Sequence, residues 1–255
     1  MRPLDLIPLQ RAAMKSAIAI ILALFVALLM VGAEFWQAKP YTSWTQKEVD
    51  AITSSSPWAQ AVVLRKVNLV QVRREFGKFA TGAGEGEGTQ NPEVSYTVSL
   101  RTAQPIREAI ARAAAFDQKY DQMDSSSKKQ FDQKWGQFLA QQFADKVIVN
   151  VKYSANTTDV DRQLATYWQG QTLDTIKVDT YMNGADGERV APIAFWAGKG
   201  ASREFQLAFP RPAKSPNKAS FSIEFKHPDV TDEPSSRIIA RFNVKDLQYH
   251  GQVTY

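Results

Sequence analysis

Val94-Ser95-Tyr96-Thr97-Val98-Ser99-Leu100 alternates apolar and polar residues without a slip, and five residues later Pro105-Ile106-Arg107-Glu108-Ala109 opens a run with helical spacing. Strict alternation describes a strand with one buried face, and proline is favoured at the first position of a helix. The helix that Pro105 starts places Ile106, Ala109, Ile110, Ala113 and Ala114 on one stripe. A second helix is predicted over residues 126–145, with Phe131, Trp135, Phe138, Leu139 and Phe143 on one face and Trp135 at the buried centre of it. Val147, Val149, Val151 and Tyr153 then restore the strand period.

Outward from this segment, Trp58 to Phe76 reads as extended, with the parity slipping near Lys66, and residues 94–100 are its return strand. The connection, residues 81–93, holds Gly82, Gly84, Gly86 and Gly88 among polar residues and suits a hairpin loop. Before it, Ser43 is the expected cap of a helix running to about Ser54, with Gln46 three residues on. After residue 153, residues 158–168 read as a helix. Strands are expected near 175–182, 189–196, 204–209, 219–225 and 237–244, with a turn at 183–187. The expected fold is α+β, helices packed on a mainly antiparallel sheet, in a single domain over residues 43–255 after a tether at 34–42.

Residues 16–33, SAIAIILALFVALLMVGA, carry no charge and one polar residue. Lys15 precedes them and Val31-Gly32-Ala33 ends them, the pattern of a secretory signal cut between Ala33 and Glu34. Read from Met14 the signal is compact, which suggests that the true start is Met14. The competing reading is a single-pass anchor, because about 18 apolar residues at roughly 1.5 Å each come close to the width of a hydrocarbon core. Membrane contact through residues 16–33 follows only if they stay uncleaved. Either reading puts the remainder outside the cytoplasm, in the periplasm or cell envelope. The chain has no cysteine, so no disulfide staples it, and a chain of this length can bury a sizeable core without one.

Of the 31 Lys and Arg and 26 Asp and Glu, three basic residues and one acidic residue precede residue 34, leaving 28 against 25. Such a balance, with Arg65, Lys66, Arg73 and Arg74 as its densest basic spot, gives no reason to expect a nucleic-acid partner.

Chemical motifs are few. There is no HExxH, no G-x-S-x-G and no P-loop; the glycine run lacks its G-K-[ST] ending. His227 and His250 lie far apart in sequence, and no metal or cofactor is expected. The oxygens of Asn156 to Asp161 suit a helix cap at Thr158 or Asp159, with a weak calcium site as the sharper alternative. Glu48, Glu93, Glu108, Asp174 and Asp179 are the carboxylates near apolar segments. Trp168, Tyr181 and Trp196, together with Phe195, are candidates for an aromatic ligand surface, with core packing as the alternative. Glu85 and Glu87 are candidates for a partner-binding loop.

Three segments together, Trp44-x3-Glu48 leading to Ser56-Pro57-Trp58-Ala59, Leu100 to Ala109, and Phe242-Asn243-Val244-Lys245-Asp246-Leu247-x-Tyr249-x-Gly251, resemble a group of uncharacterised exported bacterial proteins of acidobacterial type. The resemblance implies export and one domain and brings no activity or site residue with it. The expected function is an exported, non-catalytic envelope protein that binds or scaffolds other envelope components, through a protein or envelope-polymer partner. A carboxylate-based envelope hydrolase and a membrane-anchored subunit of a secretion or assembly complex are the alternatives.

Overall fold

The computed structural model describes residues 34–65, 93–184, 187–211, 220–228 and 237–255. The expected signal or anchor up to Ala33, the strand extension beyond residue 65, the glycine loop, and Glu85 and Glu87 lie outside the described residues. Among the described residues no helix is long and apolar enough to cross a membrane.

The chain divides into two compact units, residues 1–44 and 45–255. The described part of the first is a short helix, α1 (Phe35–Ala38), and a 3-10 turn (Tyr41–Ser43). Its aromatics meet edge to face, Phe35 against Trp36 at 5.0 Å and against Trp44 at 6.0 Å, and the Trp44 indole donates to the Lys39 carbonyl at 3.3 Å.

The second unit starts with helix α2 (Gln46–Ser54). Thr45, not Ser43, is its cap. Thr45 Oγ1 accepts from the Glu48 amide at 3.4 Å and Glu48 Oε2 accepts from the Thr45 amide at 2.8 Å, a capping box. Ser43 is taken by the 3-10 turn, and Glu48 replaces the expected Gln46 as the partner. The strands and helices that follow are β1 (Ala59–Arg65), β2 (Glu93–Leu100), α3 (Gln104–Asp117), α4 (Ser125–Ala140), β3 (Lys146–Ala155), α5 (Thr158–Gln169) and α6 (Leu173–Ile176). Then come β4 (Tyr181–Asn183), β5 (Arg189–Val190), β6 (Ala194–Ala197), β7 (Glu204–Pro210), β8 (Ser220–Lys226), β9 (Arg237–Asn243), and a small hairpin of β10 (Gln248–Tyr249) and β11 (Gln252–Val253).

The expected α+β class with antiparallel pairing holds. The sheets are two: a five-stranded one in the order β1-β2-β3-β7-β6 and a four-stranded one in the order β5-β4-β8-β9, every pair antiparallel. Val94, Tyr96, Val98 and Leu100 of β2, Val147, Val149, Val151 and Tyr153 of β3, and Phe205, Leu207 and Phe209 of β7 form one buried face of the first sheet. It meets Ile223 and Phe225 of β8 and Ile238, Ala240 and Phe242 of β9, which form the buried face of the second. Phe225 touches both Tyr96 (5.4 Å) and Phe205 (5.7 Å) across the gap. The core is therefore the filling of a sandwich, with the amphipathic helices along its borders.

Three expectations change. The strand near 175–182 begins as helix α6, because Thr172 and Thr175 form a reciprocal cap, and only Tyr181–Asn183 is extended. The strand at 189–196 is two strands in different sheets, broken around Pro192, whose missing N–H cannot continue a ladder. Helix α4 is present, yet it buries no residue completely: Phe131, Trp135, Phe138 and Leu139 are all half-buried. Phe131 and Trp135 lie 5.9 Å apart and Trp135 and Phe138 5.4 Å, so the stripe packs largely on itself. Trp135→Ala is accordingly expected to cost about 1–2 kcal/mol in a urea titration, against about 3–5 kcal/mol for a fully buried aromatic.

Candidate functional site

Two concave surfaces stand out on the second unit. The first is a cleft of about 530 Å³ between the start of α3, the chain after α4, Arg211 and the β10–β11 hairpin. Arg107 is its inner wall, 6 % exposed although it is an arginine. Its guanidinium donates to the carbonyls of Phe138 (3.2 Å) and Gln141 (2.8 Å) and to Gln104 Oε1, and lies over the Phe143 ring. Both carbonyls lie at the C-terminal end of α4, where Phe138 otherwise accepts only a long 3.4 Å bond from the Gln141 amide. Burial pulls the Arg107 pKa down from the usual arginine range, and Glu108 opposes the shift. Arg211 repeats the pattern, donating to the carbonyls of Phe143 (3.1 Å) and Tyr255 (2.6 Å) while its guanidinium covers the Tyr255 ring.

Glu108, the one carboxylate among the described lining residues, accepts from Gln104 Nε2 at 2.9 Å and from the Tyr249 hydroxyl. Tyr249 is followed by a two-residue turn, His250 (φ 48°) and Gly251 (φ 76°), both left-handed as a tight hairpin of this twist requires. His250 therefore stands exposed at the cleft rim, against the Tyr249 ring. The cleft's charged groups hold main chain together; it is a clasp.

The second surface is the other face of the five-stranded sheet. Residues paired across antiparallel strands share a face, so the register places the side chains in rows. One row is Trp196, Gln206, Asn150, Ser99; the next is Glu204, Lys152, Thr97; the third is Ser154, Ser95, Val63. The first row closes at Asn150 and Ser99, which are buried, while Lys152 and Ser154 are exposed and Trp196 at the edge is 49 % exposed. A groove of about 510 Å³ runs over Ser95, Thr97, Lys152, Ser154, Arg203 and Glu204. Asn150 Nδ2 donates to Glu204 at 3.1 Å, and Arg101, stacked on Phe138, lies close enough for Glu204 to oppose the lowering of its pKa by burial. Lys152 faces Glu204 directly across the strands but pairs with no carboxylate of the described residues.

The sequence candidates separate. Trp168 is a core residue, 1 % exposed, stacked on Phe205 at 4.3 Å, and cannot line a ligand surface. Tyr181 lies on the second sheet, where the Arg189 guanidinium covers its ring at 3.6 Å. Phe195 points to the inner face against Phe205, and Trp196 alone lies on the open face. Glu48 serves its capping box, Asp174 pairs with Lys177 and Asp179 with Arg237. Glu93 begins β2. The cap of α5 is Thr157, not Thr158 or Asp159, and makes no side-chain bond. Asn156 accepts from the Glu93 amide, Asp159 pairs with Arg162, and Asp161 pairs with Arg203 at 2.7 Å. His227 is buried, sharing a 2.9 Å hydrogen bond with the Tyr96 hydroxyl. Among the described residues no cluster of three or more metal-ligating side chains occurs. Arg107 and Arg211 were not among the sequence candidates; the predicted stripe of Ile106, Ala109, Ile110, Ala113 and Ala114 leaves out Arg107, which the structure buries with Ala111 and Ala115.

Burial raises the pKa of Tyr96 and of Tyr249 far above the usual phenol range, with the Glu108 carboxylate adding to the shift at Tyr249. The folded state therefore keeps both phenols neutral where the unfolded chain ionises them. Their contribution to stability is complete below about pH 10 and is lost as the pH rises beyond it. Urea midpoints should be level between pH 8 and pH 9 and fall between pH 10 and pH 11, and Tyr96→Phe should reduce that fall.

Comparison with known proteins finds no match: no family model, no curated protein and no solved structure is similar to the chain.

Proposed function

We propose that this chain is an exported, non-catalytic protein of the bacterial cell envelope that binds or scaffolds other envelope components. The observation that carries the reading is the open sheet face, where a groove lined by Ser95, Thr97, Lys152 and Ser154 and a half-exposed Trp196 face outward from the sandwich core. The signal-like or anchor-like residues 16–33, and the resemblance to exported proteins, support the address.

The hydrolase alternative rests on the cleft. Carboxylate-based hydrolysis needs two carboxyl groups at working distance, and Glu108 is alone on the described cleft wall and engaged by Tyr249. An anchored subunit of an assembly complex would use the same open face for a protein partner.

The test is co-sedimentation of the full chain, in mild detergent that keeps residues 16–33 from inserting, with the detergent-washed envelope fraction of the bacterium that makes it. The wild type is expected to sediment with the envelopes, and a Trp196→Ala, Thr97→Arg double variant to remain in the supernatant while keeping its circular dichroism spectrum. Equal sedimentation of both would remove the open face from the function.

A further inference from the structure

We propose that the open face of the five-stranded sheet binds an acidic polysaccharide strand laid across β6, β7, β3 and β2; this rests on the binding function proposed above and names its ligand class. The argument starts from register. Adjacent strands lie about 4.8 Å apart, so the distance from β6 to β2 is about 14 Å, the length of a short run of pyranose rings. Across that distance the face offers an aromatic plate at one end, Trp196, and then hydrogen-bonding side chains on successive strands: Glu204 and Gln206, Lys152, Thr97 and Ser95. An indole plate suits the C–H face of a sugar ring, and the hydroxyl, amide and carboxylate groups suit its equatorial hydroxyls.

A peptide is a poorer match. Extended peptides add to a sheet edge through main-chain bonds and seat alternate side chains in apolar pockets. This groove instead lies on the sheet face, and its lining is Ser95, Thr97, Lys152, Ser154, Arg203 and Glu204, with Tyr153 the one aromatic beside them.

Charge selects an acidic strand over a neutral one. Arg203 is matched by Asp161 at 2.7 Å, and Glu204 is held by Asn150 and lies beside Arg101. Lys152 is exposed and has no carboxylate of the described residues to pair with, although Glu204 is its cross-strand neighbour. The charged groups in and around the groove, Lys152, Arg203 and Arg101 against Glu204 and Asp161, leave an excess of one cation, and Lys152 is its exposed member, which complements a carboxylate-bearing sugar.

The experiment is affinity electrophoresis of the full chain in mild detergent, in native gels containing alginate (a polyuronate), dextran (a neutral glucan) or poly-L-glutamate (an acidic chain without sugar). Retardation is expected in alginate, at most a tenth as strong in dextran and in polyglutamate. Trp196→Ala and Lys152→Ala should each weaken the alginate effect about tenfold, and Lys245→Ala, an exposed lysine on the 3-10 turn after β9, should leave it unchanged. Circular dichroism confirms that each variant is folded. Equal retardation in polyglutamate, or indifference to Trp196→Ala, overturns the sugar assignment. Equal retardation in dextran, or indifference to Lys152→Ala, overturns the acidic one. No retardation in any gel, with co-sedimentation on envelopes intact, sinks the polysaccharide and leaves the binding function standing; loss of both sinks both.

Discussion

Trp168→Ala is expected to lower the unfolding free energy by about 3–5 kcal/mol, the range for deleting a large buried aromatic. Trp168 projects from α5 into the sandwich at 1 % exposure. It stacks on Phe205 at 4.3 Å and meets Phe225 (5.7 Å), Tyr96 (6.3 Å) and Tyr153 (6.4 Å), so it contacts β7, β8, β2 and β3 together. The indole N–H is buried near the Tyr96 oxygen without a well-formed hydrogen bond, so the substitution abandons no strong polar contact and its cost is packing. Trp168→Phe should recover more than half of the loss. A urea titration showing less than about 1 kcal/mol for Trp168→Ala would mean that α5 is not seated in the core.

Arg107→Ala is expected to cost about 2–3 kcal/mol, because it removes a charged donor from the part-buried Phe138 and Gln141 carbonyls and leaves a cavity under Phe143. Arg107→Lys should rescue little. An ammonium cannot span the Phe138 and Gln141 carbonyls and Gln104 as a planar guanidinium does. The damage should be local before it is global. Hydrogen exchange should quicken first over residues 135–144, while β2 and β3 keep their protection. Uniform loss of protection would show that Arg107 supports the sandwich itself and not the clasp.

The elements legible in the sequence are those whose pattern answers to one buried face. β2 and β3 alternate cleanly because one side of each fills the sandwich and the other is the open face, and Thr158–Gln169 was legible because Val160, Leu164 and Trp168 keep helical spacing. The sequence does not reveal which buried face meets which, so the second sheet was merged with the first. It also does not set the depth of burial: the Phe131, Trp135, Phe138 and Leu139 stripe reads as core by spacing, yet each of these residues is only half-buried. Arg107 lies outside the predicted α3 stripe and is buried with Ala111 and Ala115, because carbonyl partners let an arginine enter a core. The open face was written in the polar half of the alternation, at Ser95, Thr97, Lys152 and Ser154, but only the register aligns those positions with Trp196. The two-residue strands β10 and β11 are too short to carry any period, and His250 is an uncommon residue for a left-handed turn position.

The Trp58 indole donates to the Thr254 carbonyl at 2.9 Å, across 196 residues, and β1 lies against β9. The first strand of the sandwich thus lacks its surroundings until β9 and the residues after it have been synthesised. A ribosome-bound chain ending before residue 237 lacks the whole of β9, so helix hairpin α3–α4 can form early but the two sheets cannot close on each other. The sandwich is in this sense closed by its last strand, and a chain interrupted before β9 leaves the apolar faces of β2, β3 and β7 without the strand that helps to cover them.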